Sequence, residues 1–357
     1  MIEKTSPIAR FLVVAAAFVI VVSGLKMAGA LLVPFLLAVF IAMIVSPLQS
    51  YLKDRGIPGG LAIVLIVIII MLVGLLLTAV IGSSVDNFRE DIPVYSAKLT
   101  EMSESVQQWL SLRGIVIDQQ LWQNSFDPSV VMSFAGSTLA SFGNVMTNAV
   151  MILLTVIFIL AENMGFGEKL RLARGSDVSQ EWLTKFSESV HSYLAIKTAI
   201  SLLTGLLIFI WLTILGVDYA VLWGLIAFLL NFVPTVGSFI AAVPAVLLAA
   251  VQLGIFPAGL TLGGFVVVNL VMGNMLEPRW MGKGLNLSPL VVFVSLVLWG
   301  WVLGPVGMLL SIPLTIMIKI ALENQQETHW IGVLLGSGIA LEPVDDETDN
   351  KQTTEQS

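Results

Sequence analysis

Three polar side chains interrupt an almost entirely apolar stretch in the last third of the chain. Asn274 and Glu277 share one helical face at about 100° per residue, whereas Asn269 is offset from Asn274 by about 140°. Amides and a carboxylate at these positions could bind a polar solute, and the carboxylate could act as a proton-linked gate. The simpler interpretations are that the amides join neighbouring helices and that Glu277 pairs with Arg279 or caps the next segment.

Two glycine and proline breaks flank these polar residues. The first is the segment 231–238, NFVPTVGS, which is followed by Pro244. The second comprises Ser288-Pro289 and then the segment 304–307, GPVG, which is followed by Pro313. Both units read as apolar helix, break, apolar helix and proline, and we expect them to be inverted relative to each other in the membrane. Ordinary kinked spans are the alternative interpretation.

The helical limbs before the two breaks are short. Residues 219–233 and 288–302 each give about 22 Å of helix, less than the roughly 30 Å needed to cross a bilayer core. The sequence therefore predicts re-entrant hairpins whose tips meet near the midplane and enclose a solute site with the Asn274 to Glu277 helix. The residues assigned to this solute path are Asn231, Pro234, Thr235, Gly237, Asn269, Asn274, Glu277, Pro278, Arg279, Gly304 and Gly307.

The composition indicates which elements position these residues. Hydrophobic residues make up 57% of the 357 residues, charged residues only 11%, and the mean hydropathy is +0.95, values outside the range of soluble domains. The apolar residues form blocks of about 20, the length of a membrane-spanning helix. We therefore predict an all-α polytopic integral membrane protein with about eight membrane-embedded helical segments. The chain has no cysteine, which excludes disulfides, thiolate zinc sites and a cysteine nucleophile.

The order of apolar and polar stretches divides the chain into six regions. In chain order they are three transmembrane helices (1–82), an extracytoplasmic helical insert (83–143), a fourth transmembrane helix (144–164), a basic cytoplasmic linker with an amphipathic helix (165–192), a transport core with broken helices (193–322) and an acidic cytoplasmic tail (323–357). Basic residues near residues 4–10, 53–55 and 169–174 fall on one side, which predicts cytoplasmic N- and C-termini. The formal charge of −7 gives no indication of nucleic-acid binding.

The insert contains a heptad-like seam, whose members are Phe88, Ile92, Tyr95, Leu99, Met102, Val106 and Trp109. Spacings of alternately four and three residues are typical of a helix that buries one narrow face. The seam could pack against its own chain or against another subunit, and both interpretations remain open. Pro93 removes a backbone hydrogen bond, so we expect the regular helix to begin on its C-terminal side.

Three of these segments resemble the signature segments of the autoinducer-2 exporter family. They are 231–237 (NFVPTVG), 277–282 (EPRWMG) and 304–313 (GPVGMLLSIP), and the layout of about residues 8–325 also follows the order of the family. The resemblance implies a multi-pass transporter of the bacterial inner membrane that forms homopentamers. Some members are proposed to export the quorum-sensing signal autoinducer-2, a small furanone-type polyol, and others are described as sodium/proton antiporters.

Other classes of protein lack support in the sequence. The chain has no GxxxxGK[ST], GxSxG or HExxH motif, and the single Glu188-x-x-His191 lacks the second copy that a carboxylate-bridged metal site needs. We therefore expect no enzymatic activity, no cofactor and no metal. The preferred function is export of a small hydroxylated solute, with autoinducer-2 as the favoured substrate. Na⁺(Li⁺)/H⁺ antiport and a non-transporting scaffold or assembly factor remain as alternatives, and antiport is disfavoured because Asp218 and Glu277 lie near interfaces.

Overall fold

The computed structural model describes residues 6–113, 149–174, 178–234, 236–281, 287–325 and 327–336. All regular elements in these ranges are helices, and many carry large apolar side chains on their outer surface, such as Phe18, Leu75 and Phe158. A water-soluble protein rarely exposes such continuous apolar surfaces. The chain is therefore an all-α membrane protein, as the composition predicts.

The helices follow one another with short connections. In chain order they are α1 (Pro7–Met27), α2 (Gly29–Asp54), α3 (Gly59–Leu112), α4 (Ala149–Arg174), α5 (Val178–Leu215), α6 (Ala220–Leu230), α7 (Gly237–Leu253), α8 (Ile255–Asn269), a π-helical segment (Leu270–Leu276), α9 (Glu277–Met281), α10 (Pro289–Glu323) and α11 (His329–Leu334). Local sequence explains the clearest starts: Ser6 and Ser288 each accept a backbone hydrogen bond three residues on, and each is followed by proline at the first helical position.

Five of the described helices are long and apolar enough to cross a membrane: Gly29–Asp54, Gly59–Leu112, Val190–Leu215, Ile255–Met281 and Pro289–Glu323. Four shorter apolar helices accompany them: Leu12–Met27, Ala149–Glu162, Ala220–Leu230 and Gly237–Leu253. The protein is thus polytopic. The number of segments that cross the bilayer, the six-region division and the cytoplasmic location of the termini stay predictions.

Helix α2 lies between two groups of helices. On one side, Ala38 and Ala42 pack with Ile66 of α3 and Val156 of α4, and the Gln49 amide donates to the Leu160 carbonyl over 3.2 Å. On the other side, apolar residues of α2 share a cluster with α5, the turn after α6 and the second half of α10. Small residues let α2 approach its neighbours closely, which suits helix packing in lipid.

The expectation that a regular helix begins only after Pro93 is wrong, because α3 continues through Pro93 for 54 residues. Arg89, whose carbonyl loses its helical partner at Pro93, is exposed, so water can satisfy that oxygen. The first part of the heptad seam packs inside the chain: Phe88 and Tyr95 are buried, and Leu99 packs against the same cluster. Trp109 at the far end is 52% exposed.

Each of the two breaks is the turn of a helical hairpin. Helices α6 and α7 pack together across the first turn, where a Cβ on Gly237 would lie 1.8 Å from the Leu230 carbonyl oxygen. The second turn lies inside α10 at Gly304, whose φ of 68° and ψ of −151° favour glycine. Beyond it the chain doubles back, and the Thr315 hydroxyl donates to Ser295 over 2.8 Å. The depth of both hairpins in the membrane stays a prediction.

The two hairpin turns contact different parts of α2. Phe232, in the first turn, packs edge-to-face on Phe40, near the middle of α2, with ring centroids 5.6 Å apart. Beside the second turn, Val302 lies close to Gly29, at the start of α2. A Cβ added to Gly29 would lie 3.9 Å from the Val302 carbonyl oxygen. These contacts are about 16 Å apart along the helix. The first turn shares an apolar cluster with residues of the second hairpin, among them Leu310 and Ile312, and the expectation that the two tips meet near the midplane stays a prediction.

Candidate functional site

The apolar run of α5 carries a polar face near its middle. Lys197, Thr198, Ser201 and Thr204 fall within about 120° of the helix circumference, and we call these four residues the polar seam. Lys197 is 4% exposed, Thr204 is 4% exposed and Ser201 is fully buried. Polar groups in a membrane helix face protein or a water-filled cavity, and they are expensive to keep elsewhere. The seam is therefore the strongest candidate for a solute path.

An ion pair between a buried lysine and a partly buried glutamate lies at one end of the polar seam. The Lys197 ammonium donates to Glu277 Oε1 over 2.7 Å, and the two side chains are 5% and 18% exposed. Glu277 begins α9, directly after the π-helical segment. The expected partner Arg279 is exposed instead, and the carboxylate does not pair with it. The pair brings a full charge of each sign into the seam while leaving the site neutral.

The turn of the first hairpin docks on the middle of the seam. Asn231 follows α6, and its side-chain amide donates to Ser201 Oγ over 2.9 Å, with both residues buried. Phe232 fixes the turn by packing on Phe40 and on Phe228. The hairpin thus presents its backbone turn to the polar face of α5.

Two hydroxyls of the seam have no hydrogen-bond partner among the described residues. They belong to Thr198 and Thr204, whose oxygens are buried. A buried hydroxyl without a partner is unfavourable by about 1–3 kcal/mol, so such groups usually bind water or a ligand. They are free to donate to, and accept from, a polar solute that enters between α5 and its neighbours.

The opposite wall of the seam is the stretch from α8 to α9. The Trp211 indole donates to the Leu260 carbonyl over 3.1 Å, and Lys197 contacts Glu277, so α5 and this stretch run antiparallel. This register puts Asn269 at about the level of Thr204. The π-helical segment follows directly, and π-helical turns are frequent at functional sites because they disturb regular backbone hydrogen bonding.

The structure brings together only part of the residues assigned to the solute path from sequence. Asn231 and Glu277 contact the seam, and Asn269 lies alongside it. A Cβ added to Gly273 would lie 3.3 Å from Asn269 Oδ1. Asn274, which was expected to share a face with Glu277, is exposed because the stretch between them winds as a π-helix and changes the angular offset.

The other described residues assigned to the solute path lie on exposed positions of α9, at the first turn or in the second hairpin. Pro278 and Arg279 are exposed, and Gly237 is buried at the first turn beside the half-buried Pro234. Gly304 and Gly307 belong to the second hairpin, at its turn and just after it. Thr235 lies outside the described residues. The role of these residues in transport stays a prediction.

Sequence reasoning missed the residues of α5. Lys197 is a charged residue inside an apolar run, and Thr198, Ser201 and Thr204 follow it at helical spacing. The rule that charged residues inside membrane spans are functional identifies Lys197, whereas the chemistry of proton antiport alone points only to carboxylates. The partner of Glu277 could not be found from local spacing, since Lys197 is 80 positions away.

A multi-pass helical protein with a buried polar seam between its helices has the construction of a membrane transporter. Residues 11–327 match the model of the family described as AI-2E family transporter, and the chain belongs to that family. It is 38% identical to the AI-2 transport protein TqsA of Escherichia coli K12, over 91% of this chain and 95% of that protein.

Other relatives carry the same general description. A transport protein of Haemophilus influenzae is 40% identical over 92% of this chain and 96% of its own length. The transport protein YueF of Bacillus subtilis is 28% identical over 80% of this chain and 82% of its own length. The family and these relatives are named for transport, so the protein is a transporter and not an enzyme.

Proposed function

We propose that the protein exports a small, neutral, hydroxylated solute along the polar seam, and that autoinducer-2 is this solute. The single observation that carries the proposal is the pair of partnerless buried hydroxyls, on Thr198 and Thr204, beside the Asn231 to Ser201 contact. Hydroxyls and amides can each donate and accept, which matches a polyol better than an ion. The name of the Escherichia coli relative TqsA supports the choice of autoinducer-2.

The charges of the seam favour a neutral solute over a sodium ion. A cation that crosses along the seam would be favoured by a carboxylate that is free to bind it. Glu277 is already paired with Lys197. The same carboxylate is, however, the observation that favours Na⁺(Li⁺)/H⁺ antiport as the second candidate, since a buried acid in a membrane helix can carry a proton.

Reconstitution into proteoliposomes distinguishes autoinducer-2 export, Na⁺(Li⁺)/H⁺ antiport and a non-transporting scaffold. Vesicles loaded with autoinducer-2 should lose it faster than protein-free vesicles, while a sodium gradient should produce no change in internal pH. Sodium-driven proton movement without loss of autoinducer-2 would establish the antiporter instead. If neither loss of autoinducer-2 nor sodium-driven proton movement is observed, the result would support a non-transporting scaffold. The variant T198A/T204A should slow the loss of autoinducer-2 at least several-fold, and the variant Ser105→Ala, at an exposed position of α3, should leave it unchanged.

The protein is further proposed to reside in the bacterial inner membrane with both termini in the cytoplasm and to assemble with copies of itself. The basic segments near Lys53 and Lys169 support the orientation through the positive-inside rule. The exposed end of the α3 seam at Trp109, beyond the part that packs on its own chain, supports a contact between subunits.

A further inference from the structure

The ion pair between Lys197 and Glu277 stands at the end of the polar seam, between α5 and the junction of the π-helical segment with α9. Thr198 adjoins Lys197 on α5, and Ser201 lies one helical turn further along the same face. The side chain of Lys197 therefore belongs to the same polar face of α5 as the hydroxyls that the proposed solute would contact.

A gain in folding stability is a poor explanation for the ion pair between Lys197 and Glu277. Desolvation of two buried charges offsets their attraction, and apolar residues of similar volume often replace such pairs without loss of stability. Removal of one partner, in contrast, leaves an uncompensated charge and is strongly destabilising. A buried pair on the wall of a solute path therefore has a structural role and a functional role that mutations can separate.

The two partners differ in what they can do when they part. Lysine has a flexible four-carbon stem and three N–H donors without an acceptor, so its ammonium can turn from a carboxylate to another oxygen nearby. Glu277 is 18% exposed, against 5% for Lys197, so the carboxylate is the partner that water can reach. The ammonium is the partner that is held inside, next to the hydroxyls of the seam.

We propose that Lys197 is a solute-binding residue and that its ion pair with Glu277 is the closed gate of the path, an inference that rests on the proposed function. When the solute enters the seam, the ammonium leaves Glu277 and donates to an oxygen of the solute, while Thr198 and Ser201 contact its other oxygens. The site thus selects neutral solutes rich in oxygen acceptors, and it rejects amines.

A set of variants separates the gate from a structural pair. K197M alone should lower the unfolding temperature, because it leaves the partly buried Glu277 carboxylate without its cation. The double variant K197M/E277M should recover the unfolding temperature of the unmodified protein and still transport autoinducer-2 at least ten-fold more slowly. The matched control K319M/E323M removes a second lysine–glutamate pair, whose charged atoms lie 3.5 Å apart within α10, and should not change the flux per folded protein.

A second measurement keeps the proposal testable if K197M/E277M does not fold. E277Q keeps a hydrogen-bond acceptor for Lys197 but weakens the pair, so the KM for autoinducer-2 should fall several-fold, whereas a purely structural pair predicts an unchanged KM. Flux through K197M/E277M at the rate of the unmodified protein, or an unchanged KM in E277Q, would overturn the gate. No flux through the unmodified protein would instead overturn the proposed function, so the two failures are distinguishable.

Discussion

The hydrogen bond from Asn231 to Ser201 joins two residues that are 30 positions apart and holds the turn of the first hairpin on α5. Both groups are buried, so neither can replace its partner with bulk water. An amide that loses a buried acceptor keeps the desolvation penalty without the bond. One contact thus positions a whole hairpin relative to the seam.

Replacement of Ser201 with alanine should therefore destabilise the protein by about 1–3 kcal/mol, because the Asn231 amide is left without an acceptor. Asn231→Ala should have a similar effect, and the double variant should be less destabilised than the sum of the two. Chemical unfolding in detergent micelles measures these differences. The matched control is Ser105→Ala, at an exposed hydroxyl that bonds only within α3. Strictly additive effects would show that the two side chains do not interact.

At the scale of residues, the sequence predicts which positions are unusual better than it predicts what they contact. Asn231 and Glu277 stand out as polar groups in apolar surroundings, and both reach the seam. Their partners, Ser201 and Lys197, are distant in sequence and belong to another helix. The α-helical angle of 100° per residue does not hold for Asn274, because the chain forms a π-helical segment there.

At the scale of elements, the first hairpin is held at both ends. Its outer base contacts α3, where Tyr95 donates to the Asp218 carboxylate over 2.8 Å and the Lys98 ammonium donates to the Gln252 carbonyl over 3.0 Å. These two contacts join α3 to the chain on either side of the hairpin, before α6 and at the end of α7. Its tip contacts α5 through Asn231.

The tight approach at the first turn gives a prediction for Gly237. A Cβ there would lie 1.8 Å from the Leu230 carbonyl oxygen, so Gly237→Ala forces the limbs apart and should destabilise the protein by about 1–3 kcal/mol. Gly263→Ala is the matched control, since no neighbouring atom lies within 4 Å of its added Cβ, and it should be neutral or stabilising by about 0.5–1 kcal/mol. Equal unfolding temperatures for the two variants would contradict the hairpin geometry.

Both hairpins could be predicted from the glycine and proline breaks and the short limbs, although the same breaks also fit ordinary kinked spans. Where each turn lies in the folded structure could not be predicted. This depends on packing against α2, which local sequence patterns do not describe. Pro93 shows a related limit. The proline rule predicts a break, yet the exposed face at Arg89 tolerates the lost hydrogen bond and α3 continues.

At the scale of the molecule, α2 packs with α3 and α4 through one cluster and with α5, the first turn and α10 through another. The first hairpin and the second hairpin contact α2 about 16 Å apart. Movement of the hairpins against the remaining helices would open the seam to one side at a time, which is how many secondary transporters alternate access. Transport along the seam therefore requires that water and solute reach it from one side at a time.

Thiol labelling of α5 in proteoliposomes tests this requirement most directly, since the chain has no cysteine. Thr204→Cys places a thiol on the seam, and Leu206→Cys places one on the opposite face, where Leu206 is 49% exposed on the apolar outer surface. A small water-soluble thiol reagent should modify Thr204→Cys, autoinducer-2 should slow that modification at least several-fold, and Leu206→Cys should stay unmodified. An unreactive Thr204→Cys, or a reaction rate that autoinducer-2 does not change, would contradict a solute path along α5.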